Sequence, residues 1–263
     1  MIKNKAERFY PYFDLNERPT VDRFVGLFNR VYFQNRPYLT DFLNPREYII
    51  WKTICGTTLS YNRFGGYPSS EKNRLLINGK PDSLNRVFQI VCFELEYSQR
   101  FNRLTHQQIL GTLMHLGVDT STFGDLITDG AGRWQFFVKK DLAPFFNLQM
   151  TRVGHMTVKL KTVSSHDVLN PIDDSQLVKV HCSSLRLDAI ISAVSKMSRH
   201  QVDQALEHGF VQQNFHVVTK ADMAVVIQDV LSLRHFGRFQ LLEVMPAKKG
   251  KYWLKLKLWA SHH

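Results

Sequence analysis

One stretch of the chain, residues 184–214, restricts the fold more than any other, because it predicts two short helices joined by almost no connecting chain. Apolar residues at the spacing i, i+3, i+4 and i+7 place a single apolar stripe along the first helix. The stripe consists of Leu187, Ile190, Ile191 and Val194. It leaves Arg186 at the exposed start of the helix.

The second helix follows at once and carries its own start and stop signals. Ser198 stands where an N-cap is expected, and Gln201, three residues later, completes a capping box. Gly209 suits the left-handed residue that ends such a helix. The pair would expose a helix N-terminus and two arginines, Arg186 and Arg199, on one side. This geometry suits phosphate oxygens.

The order of these parts resembles a known RNA-binding unit. Arg-Leu-Asp at Arg186, Ser-Arg at Ser198, Gly-x-Val at Gly209 and then Asn214 follow one another as in the αL motif. This is the domain first described in the fourth protein of the small ribosomal subunit, and we call it the S-four domain. The resemblance covers about residues 183–238.

One position departs from that motif. The S-four domain usually has Gly-Asp leading into its last strand, whereas this chain has Gln228-Asp229. Because glycine is the residue that tight turns favour, we expect a looser or shifted turn here.

The chain is basic, with 34 Lys and Arg against 23 Asp and Glu and a formal net charge of +11. Such a charge favours a polyanionic partner, but it does not by itself separate RNA, DNA and a membrane surface. The final stretch is the most basic, because no acid follows Glu243 whereas five lysines do: Lys248, Lys249, Lys251, Lys255 and Lys257.

Within this stretch, residues 253–259 alternate with the period of two that is typical of a β-strand. One face would carry three leucines, and the opposite face would carry Trp253, Lys255, Lys257 and Trp259. A basic, aromatic face can follow a nucleic-acid backbone. The pattern fits equally well a strand whose lysines are solvated and protect its edge, so both interpretations stay open.

The cysteines do not indicate a disulfide framework or a zinc site, because Cys55, Cys92 and Cys182 lie far apart in the sequence. We expect packed free thiols. No run of eighteen apolar residues occurs, and the first residues lack the apolar core of a signal peptide. A cytoplasmic protein is therefore expected.

The order of predicted elements indicates an α+β protein. We divide it into an N-terminal helical segment, an α/β plait, a polar linker, and an S-four domain with a basic C-terminal extension, at residues 1–57, 58–165, 166–180 and 181–263. Within the plait, the patterns predict strand, helix, two strands, helix and strand at 87–97, 105–116, 125–128, 133–138, 141–149 and 155–163. This βαββαβ order is the signature of the ferredoxin-like, RNA-recognition-like architecture.

That architecture alone does not predict RNA binding by the plait. The aromatic signature of the standard RNA-recognition strand is absent. We therefore predict that Trp134, Phe136 and Phe137 are core residues rather than a platform on which bases stack.

Several short sequence segments together resemble the bacterial YlmH-type proteins over nearly the whole chain. Besides the S-four domain, they are Leu39–Glu47, Phe64–Tyr67, Leu104–His106, Leu110–Gly111 and Phe123–Asp125. Members of this family look like ribosome-associated RNA-binding proteins. The resemblance implies binding to ribosomal RNA and tRNA on the large ribosomal subunit.

The resemblance also implies a task in ribosome-associated quality control. In that pathway, a stalled nascent chain left on a split large subunit is extended with an alanine-rich tail. The S-four protein holds the tRNA in place without doing chemistry, and a tailing factor of the pathway is a candidate partner.

Carried onto this chain, the resemblance places the RNA contacts in the S-four domain. Arg186, Ser198 and Arg199 match the RNA-contacting part of the motif. His200 stands where members often carry a second basic residue, and histidine is a weaker cation at neutral pH. With flanking residues and the basic tail included, the predicted contacts are Arg186, Ser198, Arg199, His200, Lys220, Arg234, Arg238, Lys248, Lys249, Lys255 and Lys257.

Two other functions remain as alternatives. A pseudouridine synthase relative, or another RNA-modifying enzyme, would need a catalytic Asp in an Arg-Leu-Asp context. The only such triplet is Arg186–Asp188, where we expect Asp188 to orient Arg186 or cap the helix. A cell-division-linked scaffold is the second alternative, because an older family label makes that link. No metal-ligand spacing or catalytic triad can be singled out, so we predict a protein without enzymatic activity or cofactor. We also expect a monomer without a membrane partner.

Overall fold

The computed structural model describes residues 5–79, 87–99, 103–173 and 175–260. The chain divides into two compact units, Met1–Ile172 and Asp173–His263. The division falls inside the segment 166–180, although a β-strand, Gln176–Cys182, begins within that segment. No helix in these described ranges is both long enough and apolar enough to cross a membrane.

The first unit begins with helices, as the sequence predicts for its N-terminal segment. Short 3-10 turns at Ala6–Arg8, Tyr10–Tyr12 and Leu15–Glu17 precede α1 (Arg18–Gln34), β1 (Tyr38–Leu39), α2 (Pro45–Cys55), β2 (Tyr61–Phe64) and β3 (Arg74–Ile77). Leu75 and Ile77 belong to the same apolar cluster as Phe24 and Trp51. The core of the helical segment therefore extends beyond its predicted end at residue 57, because strands that follow it complete that core.

The described residues between 90 and 163 form a four-stranded sheet and two α-helices, besides a two-stranded hairpin and short 3-10 turns. The elements are β4 (Ile90–Glu96), α3 (His106–His115), β5 (Phe123–Thr128), β6 (Trp134–Lys139), α4 (Ala143–Gln149), β7 (Arg152–Val153), β8 (Met156–Thr157) and β9 (Lys159–Val163). The strands lie in the order β5-β6-β4-β9, and all neighbours are antiparallel. The strand predicted at 155–163 is divided into β8 and β9. β8 pairs instead with β7 in a short hairpin whose strands have two residues each.

The predicted start of α3 is confirmed. Thr105 accepts a hydrogen bond from the Gln108 amide at 3.3 Å, and the Gln108 side chain accepts one from the Thr105 amide at 3.0 Å. One face of the sheet packs on α3 and α4 through Phe136, Ile109 and Phe146, all of them fully buried. These contacts are what a capping box followed by an apolar stripe should produce.

The second unit is a six-stranded antiparallel sheet with a helix pair on one face. Its elements are β10 (Gln176–Cys182), α5 (Leu187–Ser195), α6 (Arg199–Glu207), β11 (Val211–Gln213), β12 (His216–Val217), β13 (Val230–Leu233), β14 (Gly237–Pro246) and β15 (Tyr252–Ala260). The strand order is β10-β15-β14-β13-β11-β12. Buried residues of α5 and α6 share one cluster with Leu254 and Leu256 of β15.

In the turn before β13 the Asp229 amide donates to the Val226 carbonyl at 3.0 Å, so of the looser or shifted turn expected there, the looser form is not found. Gln228 adopts a left-handed conformation with φ of 77°, which a glycine would adopt more easily. Its amide donates to the Leu241 carbonyl at 2.7 Å. Asp229, only 8% exposed, accepts hydrogen bonds from Asn214 at 2.7 Å and from the Val226 amide at 2.9 Å. These bonds to the buried carboxylate hold the turn closed without glycine.

Candidate RNA-binding surface

The start of α5 holds Arg186 in a fixed position. Arg186 is the residue immediately before the helix, and its guanidinium forms a two-pronged ion pair with Asp188, at 3.1 Å (Nε to Oδ1) and 3.0 Å (Nη2 to Oδ2). The Arg186 side chain remains about half exposed, at 51%. Asp188 thus orients the arginine, as the sequence predicts, and leaves part of the guanidinium open to a partner.

The charge environment of Asp188 is set mainly by Arg186, with a smaller effect from Arg199 at the start of α6. Burial disfavours the charged form of Asp188. Hydrogen bonds from Arg186 and the Ala189 amide, together with the positive charges of Arg186 and Arg199, nevertheless hold the pKa of Asp188 below its ordinary value. Arg186 therefore dominates the pairing of this carboxylate, and Arg199 adds the smallest of these effects. The two motif arginines, 13 positions apart in the sequence, each lie at the start of one helix of the pair.

Three predicted contacts lie together in the first turn of α6. Ser198 is the N-cap, accepting from the Gln201 amide at 3.3 Å, while the Gln201 side chain accepts from the Ser198 amide at 2.9 Å. Arg199 and His200 follow as the first two helical residues, and all three are exposed. This geometry presents a helix N-terminus and a cation together.

The backbone beside Arg186 is fixed by the segment that follows Lys220. The Leu187 amide donates to the Met223 carbonyl at 2.8 Å, and the Asp188 amide donates to the Ala221 carbonyl at 3.1 Å. Lys220, which is exposed, therefore lies one residue from a backbone contact with the start of α5. This proximity adds a third cation to the region.

Arg234 and Arg238 lie elsewhere on the unit and stack on aromatic rings. The Arg234 guanidinium lies 5.0 Å from the ring of Phe210, three residues after the end of α6, and Arg238 lies 4.9 Å from the ring of Phe215. A nine-residue helix is about 13 Å long, so Arg199 and Arg234 are at opposite ends of α6. Arg234 therefore does not share one compact pocket with Arg186 and Arg199.

The alternation predicted for 253–259 is confirmed. Leu254 and Leu256 are fully buried in the helix-facing core, so Trp253, Lys255 and Lys257 point to the opposite face of the sheet. We call that face of β15 and its neighbours the basic strip. It includes Lys179 and His181 of β10, which pair with Lys255 and Trp253.

The interpretation of β15 as an edge strand is wrong. β15 lies between β10 and β14, because it pairs along its length with both. Its lysines therefore cannot protect an edge. Both lysines of β15 have acidic neighbours: Lys255 contacts Glu243 at 3.0 Å, and Lys257 pairs with Asp173, whose pKa is lowered chiefly by that hydrogen bond.

At one end of the strip is an open groove of about 740 Å³ around Trp253. His181, Lys248, Lys249 and Lys251 line it, and we call it the Trp253 groove. Lys248 and Lys249 lie in the turn between β14 and β15, and both are exposed. The predicted tail lysines thus separate into a groove-lining pair and an ion-paired pair.

Sequence reasoning did not select Lys179 and His181 as contacts. Both lie at the boundary between the predicted linker and the S-four domain, where acidic and polar residues hide the strand pattern. A signal was nevertheless present, because Leu177, Lys179 and His181 alternate with Val178 and Val180. Such alternation predicts a half-buried strand.

The sheet of the first unit offers no comparable open face at its aromatic residues. Phe136 and Phe137 are 0% and 1% exposed, which confirms that they are core residues, and Trp134 is 9% exposed. Tyr67 stacks on Phe137 with ring centroids 5.3 Å apart, and its hydroxyl donates to Asp125 at 2.8 Å. These rings are therefore covered by the protein's own chain.

A buried polar residue fixes a second part of that cover. Gln135 is 0% exposed. Its side-chain oxygen accepts from the Leu169 amide at 2.9 Å, and its nitrogen donates to Glu94 at 2.8 Å and to the Asp167 carbonyl at 3.2 Å. Because breaking these bonds would leave buried polar groups unpaired, the cover over β6 is held firmly in place.

Comparison with known proteins gives the context for these surfaces. Residues 84–167 match a family model described as the putative RNA-binding domain in YlmH. The chain is 31% identical over 250 residues to a Bacillus subtilis (strain 168) protein named ribosome-associated protein quality control protein P2. That alignment covers 93% of this chain and 95% of the relative.

A solved structure is also similar. It is that of a protein named cell division protein ylmH from Streptococcus pneumoniae, and it aligns with a TM-score of 0.51 and 28% sequence identity. The match covers 60% of this chain and 97% of the solved one. Together with the relative that is similar over nearly its whole length, these findings show that the chain belongs to the YlmH family.

Proposed function

We propose that this protein is a noncatalytic RNA-binding factor of the large ribosomal subunit. It binds ribosomal RNA and tRNA there and supports the alanine tailing of stalled nascent chains. The observation that carries the proposal is the position of two exposed arginines at helix starts. Asp188 orients the half-exposed guanidinium of Arg186 at the start of α5, and Arg199 is the first residue of α6 after its Ser198 cap. The name of the Bacillus subtilis relative supports the link to ribosome-associated quality control.

The chemistry of the helix pair favours phosphate as the ligand. Asp188 takes up one side of the Arg186 guanidinium, while the exposed side can donate to a phosphate oxygen. Arg199 follows the α6 N-cap, where the helix dipole also favours an anion. We propose that this region is an S-four domain, supported by the order of its parts and by the tight Asn214–Asp229 contact.

The same contacts argue against the enzyme alternative. Asp188 is paired through both carboxylate oxygens with Arg186, and one of them also accepts from the Ala189 amide at 2.8 Å. A carboxylate held this way serves as a structural partner and is poorly placed to attack a base. We therefore propose that Asp188 positions Arg186 and is not a nucleophile.

For the first unit, we propose a ferredoxin-like plait. The antiparallel strand order β5-β6-β4-β9 and the positions of α3 and α4 support it. If this domain contacts RNA, as the name of the matching family model suggests, it uses a surface other than the buried aromatic face of the sheet.

The decisive experiment is binding of large ribosomal subunits by the double variant Arg186→Ala, Arg199→Ala. Each lost phosphate contact should cost on the order of 1–3 kcal/mol. The slope of log affinity against log salt should decrease in magnitude by about 2, because two phosphate contacts are removed. Both quantities can be measured by co-sedimentation over a range of salt concentrations.

A matched control removes the same charge from the other unit. Arg30→Ala, Arg36→Ala deletes two exposed arginines, both outside the S-four region, and should leave the affinity nearly unchanged. If the two double variants bind large subunits as tightly as each other, the helix pair is not the RNA-binding surface.

Nucleoside mass analysis of ribosomal RNA and tRNA incubated with the protein tests the enzyme alternative, which any new modified base would support.

The tailing role needs a separate readout. In cells that lack the native protein, the wild-type chain should restore alanine tails on stalled nascent chains, and the Arg186, Arg199 double variant should not. Restoration of the tails by the double variant would separate RNA binding by α5 and α6 from quality control.

The name of the Streptococcus pneumoniae protein favours a second candidate, a scaffold in cell division. A scaffold must keep its protein partners when RNA is digested. Purification before and after nuclease treatment distinguishes the two functions. We expect ribosomal components to be lost after digestion, whereas partners that persist would support the scaffold.

A further inference from the structure

The Trp253 groove combines a partly exposed aromatic ring with nearby lysines. Trp253 is 40% exposed, although it lies on a central strand of the sheet. The ring of His181 meets it edge-on with centroids 5.0 Å apart, and the Lys179 ammonium lies 5.2 Å from the centre of the Trp253 ring. The exposed part of the Trp253 ring is therefore available to a ligand that can stack on it.

The rim of the groove is basic. Lys248, Lys249 and Lys251 line it together with His181, and no carboxylate residue is among its lining residues in the described structure. By contrast, the lysines farther along the strip have acidic partners, Glu243 for Lys255 and Asp173 for Lys257. The positive charge that remains available is therefore concentrated beside Trp253.

This arrangement has the parts of a single-strand binding site. Base stacking on an aromatic side chain is worth about 1–3 kcal/mol per base, and every base has a suitable face. Lysines spaced around the ring can hold the adjoining phosphates. A base inside a duplex is stacked on its neighbours and cannot reach a ring at the floor of a groove, whereas an unpaired base can.

We propose that the Trp253 groove binds single-stranded RNA, with one unpaired base stacked on Trp253 and the flanking phosphates held by Lys248, Lys249 and Lys251. Lys179, which now covers one face of the ring, turns toward a phosphate when the base enters. This inference rests on the proposed RNA-binding function. It assigns to the basic strip a role different from that of the helix pair, because the strip lies on the face of the sheet that points away from α5 and α6.

The test uses the full chain and a fluorescein-labelled short oligouridylate, with binding followed by anisotropy. Trp253→Leu keeps an apolar side chain without an aromatic face and should weaken binding about 10-fold, in keeping with the loss of one stacked base. Trp253→Phe keeps a ring and should stay within about 3-fold of the wild-type affinity. Equal affinities for the Leu variant and the wild type would overturn the proposal.

The lysines are tested through salt dependence. Replacing Lys248, Lys249 and Lys251 together by Gln should reduce the magnitude of the salt slope for the oligouridylate by about 2, since each single-strand phosphate contributes about 0.7. The same change in Lys255 and Lys257, which already have acidic partners, should reduce it by less. A larger effect of the second set would place the RNA elsewhere on the strip.

A measurement on the wild-type protein does not depend on how well any variant folds. An oligonucleotide that carries 4-thiouridine, crosslinked by light and mapped by mass spectrometry, should label the β10 and β15 peptides around His181 and Trp253. Crosslinks confined to α5 and α6 would overturn the proposal for the groove.

Two further arms separate the possible outcomes. The Arg186, Arg199 double variant should retain the oligouridylate while losing large subunits. Failure of the groove proposal alone would appear as normal oligouridylate binding by Trp253→Leu.

Because tryptophan and lysine also suit a lipid surface, binding to vesicles containing phosphatidylserine is measured as well. Vesicle binding that requires Trp253, without any effect on the oligouridylate, would identify a membrane contact and overturn RNA as the ligand.

Discussion

The four-stranded sheet of the first unit and the six-stranded sheet of the second unit each pack two helices on one face, yet their opposite faces differ. In the first sheet, Phe137 and Gln135 are buried under Tyr67 and the 167–169 segment. In the second, Trp253 stands exposed among lysines. The plait that we propose for the first unit therefore has its central aromatic residues covered, whereas the second unit leaves such a surface open.

The difference shows that fold order and binding capacity are separate properties. What decides whether a sheet face can bind a base is the chain segment that covers it, and this segment is distant in sequence from the strands themselves. Each of the following changes tests whether the first sheet is closed and the second open.

The largest expected effect comes from removing one aromatic ring from each sheet. Phe137→Ala should lower the free energy of unfolding of the first unit by about 3–5 kcal/mol, because it leaves a cavity beneath Tyr67. Trp253→Ala removes a ring that is already partly in water, and it should cost less than about 1.5 kcal/mol in the second unit. Urea unfolding of both variants measures the costs, and similar values would contradict the distinction between the sheets.

The next effect concerns how tightly the cover fits. Gly66 has φ of 111°, and a Cβ at this position would overlap the ring of Phe137. Gly66→Ala should therefore destabilise the first unit by about 1–3 kcal/mol through overpacking. Gly111→Ala is the matched control, since Gly111 lies inside α3 with nothing within 4 Å of an added Cβ. That variant should be stabilising by about 0.5–1 kcal/mol, so a stability loss comparable to that of Gly66→Ala would contradict the close fit.

The pH dependence of stability due to a buried thiol, Cys92, tests whether this face of the first sheet is closed to water. Burial raises the pKa of Cys92, on the covered face, from 9.0 to about 12. The folded state thus resists the thiolate, and the stability contributed by the neutral thiol is present below pH 9 and is lost as the pH rises toward 12. The stability of the wild type relative to Cys92→Ala should fall by on the order of 1 kcal/mol between pH 7 and pH 10. A difference that does not change with pH would indicate that water reaches this face.

The smallest effect sharpens the open side of the comparison. Glu243→Gln removes the acidic partner of Lys255. Because exposed ion pairs contribute little, the unfolding free energy should change by less than about 1 kcal/mol. Affinity for RNA should rise about 2- to 3-fold at low salt, since one more lysine is available to phosphate. Filter binding measures this gain, and lower affinity would mean that Glu243 positions Lys255 for the ligand.

The features that sequence predicts well are those fixed over a few residues. The capping boxes at Thr105 and Ser198 need only residues three positions apart, and the structure has both. The alternation from Trp253 to Trp259 is equally local. The Arg186–Asp188 contact follows as well, because the two residues flank the first turn of one helix.

The features that sequence does not predict depend on distant pairings. The central position of β15 requires β10, which starts in the segment predicted as linker, to pair with it. The cover of the first sheet requires Tyr67 and Leu169 to meet across β6. The turn at Gln228 departs from expectation because Asp229, Asn214 and Leu241 compensate for the missing glycine.

The central position of β15 also has a consequence for the order in which this protein can mature during its own synthesis. β10 and β15 are the first and last strands of their unit, and the helix pair packs on Leu254 and Leu256. Contacts between such distant segments form slowly, because the intervening chain must first be closed into a loop. A growing chain therefore cannot complete the core beneath Arg186 and Arg199 until residues 252–260 have emerged, so the RNA-binding surface that we propose for this unit can form only after translation has passed that point.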